Sequence, residues 1–197
     1  MAAHTESRRD ASDRRQAILD AALELFAERG FHGTAVPLVA ERAGVGAGTL
    51  YRYFESKEAL VNALYRSWKA ALASSLFEGF PTDLPPRALF GECYRRLCRF
   101  AVEHPRAFTF LELHHHAPYL DAQSRACDEL VLRPIRDLAE QARHALALKD
   151  LAPELLMAVV YGAVVGLVRA AEAGHLPMPL EEALRQAEPV VWEAIRR

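Results

Sequence analysis

Val36-Pro37-Leu38-Val39-Ala40-Glu41-Arg42-Ala43-Gly44-Val45-Gly46-Ala47-Gly48-Thr49-Leu50-Tyr51-Arg52-Tyr53-Phe54 is the stretch on which the reading of this chain turns. Val36, Val39, Ala40 and Ala43 recur at helical spacing, Gly44 and Gly46 supply a turn, and Ala47, Leu50 and Phe54 mark the buried side of a second short helix. The pattern is a helix-turn-helix over about 35–54. Its second helix leaves Gly48, Thr49 and Arg52 outward, with Tyr51 and Tyr53 at the margins. That face carries hydrogen-bonding and phosphate-contacting groups but no nucleophile or general base, which points to double-stranded DNA rather than to catalysis.

Outward from this stretch the helical pattern continues in both directions. Asp13, three residues before Gln16, reads as a capping box, and Ile18, Ala22, Leu25 and Phe26 form an apolar stripe that stops near Gly30, giving a first helix over 13–29. Thr34 is placed to cap the second helix, with Pro37 in its first turn. Ser56 opens a long helix with Leu60, Leu64, Trp68, Ala71 and Leu72 on one face; from 56 to 78 it would be about 34 Å long, enough to join two domains. After the break at Phe80-Pro81-Thr82-Asp83-Leu84-Pro85-Pro86, helical patterns follow at 86–103, 105–116, 118–148, 153–173 and 180–196, with Pro134 and Pro189 expected to kink or split their helices. Nothing alternates with strand period. The expected fold is all-α: a flexible N-terminal arm over 1–12, a three-helix DNA-binding domain over 13–60, and a helical effector-binding and dimerisation domain over 61–197.

Composition narrows the function classes. Half the chain is hydrophobic, 51%, enough for a real core in 197 residues. The longest uncharged apolar run, Leu155 to Val168, falls short of the roughly 20 residues a membrane span needs, and the Arg-, Asp- and Ser-rich N-terminus lacks the apolar segment of a secretory signal, so a cytoplasmic protein without membrane contact is expected. Cys93, Cys98 and Cys127 form neither an even set nor a C-x-x-C pair, which suggests small buried hydrophobes. Net charge is −2, and up to Arg66 there are nine Lys and Arg against nine Asp and Glu. DNA binding driven by bulk charge is thereby disfavoured. A local basic face drawn from Arg8, Arg9, Arg14, Arg15, Arg42, Arg52 and Lys57 suits a site-specific protein.

From about Arg15 to Tyr65 the chain resembles the N-terminal domain of the TetR (tetracycline repressor) family. The family pattern is met by Thr34, by Ala43-Gly44-Val45 at the turn, by Gly48-Thr49-Leu50-Tyr51 on the recognition helix, and by Phe54 with Lys57 at the start of the fourth helix. The resemblance implies that Thr34, Tyr51, Tyr53 and Lys57 touch the DNA backbone, joined by the peptide group of Gly48. Thr49 and Arg52 are the base-reading candidates; a bidentate Arg52–guanine contact would discriminate by about 1–3 kcal/mol. Many members carry Ser-Lys where this chain has Gly46-Ala47. Ala47 is left to meet a thymine methyl.

The C-terminal half suggests a dimer and a pocket. Leu155, Val159, Ala163 and Leu167 lie on one flank of the 153–173 helix and Leu156, Val160, Val164 and Ala171 on another, while Gly162 and Gly166 would admit a close helix. With the stripe Leu184, Ala187, Val191 and Ile195, this predicts a two-fold four-helix interface, an arrangement the resemblance also implies, holding two recognition helices about 34 Å apart to read a palindromic operator. Tyr94, Cys98, Phe108, Leu111, His114, His115 and Cys127 are the effector-binding candidates, for an apolar or aromatic small molecule that releases a repressor.

Two rival readings come from other classes. Glu112 with His115, and Glu172 with His175, each form Glu-x-x-His, the half-motif of helical di-iron enzymes. The adjacent His114, His115 and His116 point about 100° apart around a helix and cannot converge, and His175 follows Gly174 beyond a helix end. No cofactor, metal or catalytic residue is therefore assigned. The other rival is a repressor-like scaffold that acts through protein partners only, kept open by Gly46-Ala47.

Overall fold

A computed structural model describes the backbone of residues 2–113 and 116–197, with side chains from residue 11 onward except that of Leu113. Helix α1 (Ala2–Gly33) begins well before the expected cap. No Gly or Pro interrupts residues 2–15, so the helix runs through them in place of a flexible arm, and Gln16 donates to Asp20 Oδ1 at 2.8 Å instead of closing a capping box. Gly30, with φ 66° and ψ −177°, breaks the helical path near its end.

Helices α2 (Val36–Arg42) and α3 (Ala47–Tyr53) form the helix-turn-helix. The cap of α2 is Ala35, not Thr34, and no side chain assists it. At its other end Val45 N donates to Ala40 O (3.0 Å) and Gly44 N to Glu41 O (3.1 Å), the paired bonds of a Schellman ending, with Gly44 at φ 66°. Ser56 Oγ accepts from Ala59 N at 3.0 Å and so starts α4 (Lys57–Phe77) as expected.

The stretch read as helices over 105–116 and 118–148 is more broken. Helix α6 (Pro105–Phe108), after α5 (Pro86–Glu103), gives way to a π-turn at Thr109–Leu113; a 3-10 turn follows at Ala117–Tyr119, then α7 (Ala122–Ala126) and α8 (Glu129–His144). The division falls at Cys127-Asp128, whereas Pro134 lies within α8 and Pro189 within the last helix, α10 (Leu180–Ile195); α9 is Pro153–Glu172. Among the described residues the only β pairing is an isolated bridge, Leu148 with Arg196.

The chain divides into two compact units along lines other than a boundary at residue 60. One comprises residues 1–68 and 109–125, the other 69–108 and 126–197, so one division falls inside α4. In the first, Ile18, Ala22, Leu25, Phe26, Val39, Leu50, Leu60 and Leu64 are almost wholly buried, the larger side chains each contributing about 1.5–3 kcal/mol of apolar burial and Ala22 less. Phe110 of the π-turn lies 6.2 Å from Phe26, ring to ring. In the second, α10 packs on α9 and α5, and Leu148, Leu156 and Ile195 form a cluster with Phe90, Val160 and Trp192 against it. Tyr94 Oη donates to Leu184 O at 3.1 Å and the Arg87 fork meets Glu188 at 2.5 and 2.8 Å, both tying α5 to α10.

This packing corrects the expected dimer face. Leu184, Val191 and Ile195 are buried inside their own subunit, because α5 and α9 cover that side of α10. Leu155, Val159, Gly162 and Gly166 of α9 are exposed, Ala163 is half-buried, and Val190 of α10 is 68% exposed. By length and composition α9 would suffice to cross a membrane, with mean hydropathy 1.7 over its most apolar window, yet only 17% of that window is buried.

Candidate nucleic-acid interface

Leu50, wholly buried, and Phe54, nearly so, anchor α3 to the first unit, and the 3.6-residue period fixes what the other face presents. Ala47, Gly48, Tyr51 and Arg52 are exposed; Thr49 and Tyr53 are half-buried. Ala47 therefore joins the outer face and not, as its spacing suggested, the buried side. A Cβ built on Gly46 or Gly48 would meet nothing within 4 Å, so this helix end is bare backbone facing open space. Arg52 has no ion-pair partner among the described residues. Arg42 is engaged by Glu24 at 2.8 Å, and the Arg15 guanidinium lies 5.4 Å from the Phe54 ring centre.

Thr34 departs from its expected place on the DNA backbone. It is 1% exposed, and its one hydroxyl proton is shared between Leu25 O (3.0 Å) and Gly30 O (2.8 Å), on either side of the turn at the end of α1. A phosphate cannot reach it. Lys57 is better placed, half-buried at the start of α4, with its ammonium 4.1 Å from the centre of the Phe31 ring. Burial there lowers its pKa from the ordinary 10.5, and the neighbouring Glu58 carboxylate opposes the shift.

The seven effector candidates are not gathered in one cavity. Tyr94 and Cys98 line an open groove of about 590 Å³ between α5 and α10, floored also by Gly91, Val102 and Leu184 and rimmed by Arg95, Arg99, Glu181 and Arg185. Burial pushes the Cys98 thiol up to about 12 and raises Tyr94 as well, so these two side chains stay uncharged beside the charged rim; outside the groove, burial pushes the Cys93 thiol up to about 11. Phe108 is buried in the core of the same unit, Leu111 is buried in the other, and Cys127 is half-buried between α7 and α8. His114 and His115 lie outside the described residues. Among the described residues no group of three or more His, Cys, Asp or Glu is placed to hold a metal ion. Glu172 ends α9, and His175 lies past it, its N donating to Ala170 O at 2.8 Å in a helix-ending turn.

Sequence reasoning missed Asn62. It interrupts the apolar face of α4 and is 4% exposed, with Nδ2 donating to Glu58 O and Tyr119 O and Oδ1 accepting from Asp121 N, each at 2.8 Å. An amide within an apolar stripe was the available signal, but two of its partners, Tyr119 and Asp121, lie more than fifty residues away and no periodicity names them.

Residues 18–64 match the family model for bacterial regulatory proteins of the tetR family, and residues 66–197 match the tetracyclin repressor-like C-terminal domain. The HTH-type transcriptional regulator RutR of Escherichia coli is 39% identical over 103 residues, 50% of this chain and 46% of that protein. The uncharacterized HTH-type transcriptional regulator YhgD of Bacillus subtilis is 26% identical over 176 residues, 86% of this chain and 90% of that one. This chain thus spans about half the length of RutR and nearly all of YhgD. A TetR family transcription regulator from Marinobacter aquaeolei shares the fold with a TM-score of 0.82 at 23% identity, covering 96% of this chain and 98% of that one.

Proposed function

The chain belongs to the TetR family of bacterial regulatory proteins, and from that premise we propose that it is a homodimeric, cytoplasmic repressor that binds a palindromic operator and leaves it when a small apolar or aromatic effector binds. The observation that carries this reading is the outer face of α3, where Arg52, Tyr51 and the bare Ala47-Gly48 end stand clear of the protein. Arg52 and Thr49 read base edges in the major groove; Lys57, Tyr51 and Tyr53 hold phosphates and set the register.

The second copy docks on α9. Leu155, Val159, Gly162 and Gly166 recur three or four residues apart on an uncovered face, and Val190 adds to it from α10. Such a stripe needs cover, and the two glycines let a symmetry-related α9 approach closely. The α5–α10 groove, with its neutral Tyr94 and Cys98, is the effector site. An effector that favours one dimer geometry over another weakens DNA binding by its differential affinity for the two. No catalytic step is part of this reading.

The test is binding to the DNA upstream of the protein's own gene, measured by anisotropy across about 50–200 mM salt, where affinity should fall steeply as salt competes for the phosphates. Saturable binding with two subunits per site is expected. Absence of any complex at the lowest salt would favour action through protein partners instead.

A further inference from the structure

The Phe31 ring is covered on both faces. The Lys57 ammonium lies 4.1 Å from its centre, and the Tyr119 ring stacks at 3.7 Å with 13° between planes. Two groups so close to one ring centre cannot share a face, so Phe31 is sandwiched, cation on one side and phenol on the other. The far plate is itself held: Tyr119 Oη lies 2.6 Å from His32 Nε2, Asn62 binds the peptide groups of Tyr119 and Asp121, and Arg66 Nη1 donates to the Asp121 carboxylate (3.0 Å) and to Ser124 Oγ (2.8 Å). All of these residues belong to the first compact unit, yet the chain on either side of 109–125 belongs to the second.

We propose that Tyr119 is a positioning residue for phosphate binding: by fixing Phe31 it fixes the Lys57 ammonium, so the 116–121 segment sets how firmly the protein grips DNA. The proposal rests on the reading of Lys57 as a phosphate ligand. A ring face occupies one side of an ammonium and leaves donors free on the other, whereas a lysine without such a seat must be ordered when DNA arrives. Because the segment is entered from and returns to the other unit, a change there reaches Lys57 through Tyr119 without crossing the helix-turn-helix core.

The chain has three lysines, Lys57, Lys69 and Lys149, which makes a direct test practical. After reductive methylation with ¹³C-formaldehyde, the Lys57 signal, assigned with Lys57→Arg, should lie upfield of the other two through the Phe31 ring current. Tyr119→Phe keeps the stack and should leave that shift unchanged. Tyr119→Leu should move the signal toward the positions of exposed lysines. On the upstream DNA, Tyr119→Leu should weaken binding about three- to tenfold and flatten the slope of log K against log salt by about 0.9 for each phosphate that Lys57 no longer neutralises, with Tyr119→Phe restoring both. Phe31→Leu gives an independent arm should Tyr119→Leu not fold, and the same flattening is expected from it. An upfield Lys57 signal that survives loss of the Tyr119 ring would overturn the proposal, as would wild-type slopes in both leucine variants. Failure of the wild-type protein to bind the DNA at all would instead remove the regulator reading beneath it, while the methyl signal still reports the mechanical link.

Discussion

The hydroxyl of Thr34 has two carbonyls to satisfy and no path to solvent, so its replacement tests stability and not recognition. Thr34→Val keeps the shape and strands buried acceptors; it should lower unfolding stability by about 1–3 kcal/mol in urea titrations. DNA affinity, compared well below the melting transition, should stay close to wild type; a large drop there would return Thr34 to the DNA backbone. Gly48 has the reverse signature. It sits in α3 with open space where a Cβ would go, so Gly48→Ala should stabilise the helix by up to about 1 kcal/mol. If the bare helix end lies against the groove, the same methyl should weaken operator binding. Gain of stability with loss of affinity separates the two effects in one variant, and anisotropy beside thermal melting reads both.

At the level of elements, what was legible had local causes. The turn between α2 and α3 is set by residues within five positions of each other, so the sequence names it, including Gly44 at φ 66°. Since a Cβ at Gly44 would meet nothing, Gly44→Ala should cost only the backbone strain, about 1 kcal/mol, and Gly44→Val more; chemical denaturation gives the ordering. The stretch from 105 to 128 was not legible, because its broken geometry answers to distant partners such as Asn62 and Phe26. The α10 part of the expected dimer stripe is covered for a related reason. Periodicity shows that α10 has an apolar side but not which neighbour covers it, and α5 and α9 of the same subunit cover Leu184, Val191 and Ile195. Attention therefore moves to α9, where Val159→Glu places a charge on the uncovered stripe. Sedimentation should show this variant as monomers, with operator affinity falling in parallel because one half-site at a time binds weakly.

For the molecule as a whole, the weak acids of α5, buried Tyr94 and half-buried Cys93 and Cys98, make stability depend on alkaline pH. Cys93 and Cys98 ordinarily titrate near 9.0 and are pushed up to about 11 and about 12 by burial, and Tyr94 is raised above its ordinary 10.0. Between pH 9 and those raised values the folded chain holds protons that the unfolded chain has released, so stability must fall as pH rises, by at most about 1.4 kcal/mol per pH unit for each group. Below pH 9 this contribution is complete. Lys57 acts in the opposite sense, since its lowered pKa means that the unfolded chain is the better proton binder just under 10.5. The thiols outnumber it, and the net slope should be downward. Urea midpoints taken between about pH 8 and 11 should decline in the parent and decline less in the Cys93→Ala/Cys98→Ala double variant, whose packing loss shifts the whole curve without adding a pH slope. Parallel curves for the two proteins would mean that these thiols ionise as freely in the fold as out of it, and that α5 is wetter around Cys93 and Cys98 than its packing against α10 implies.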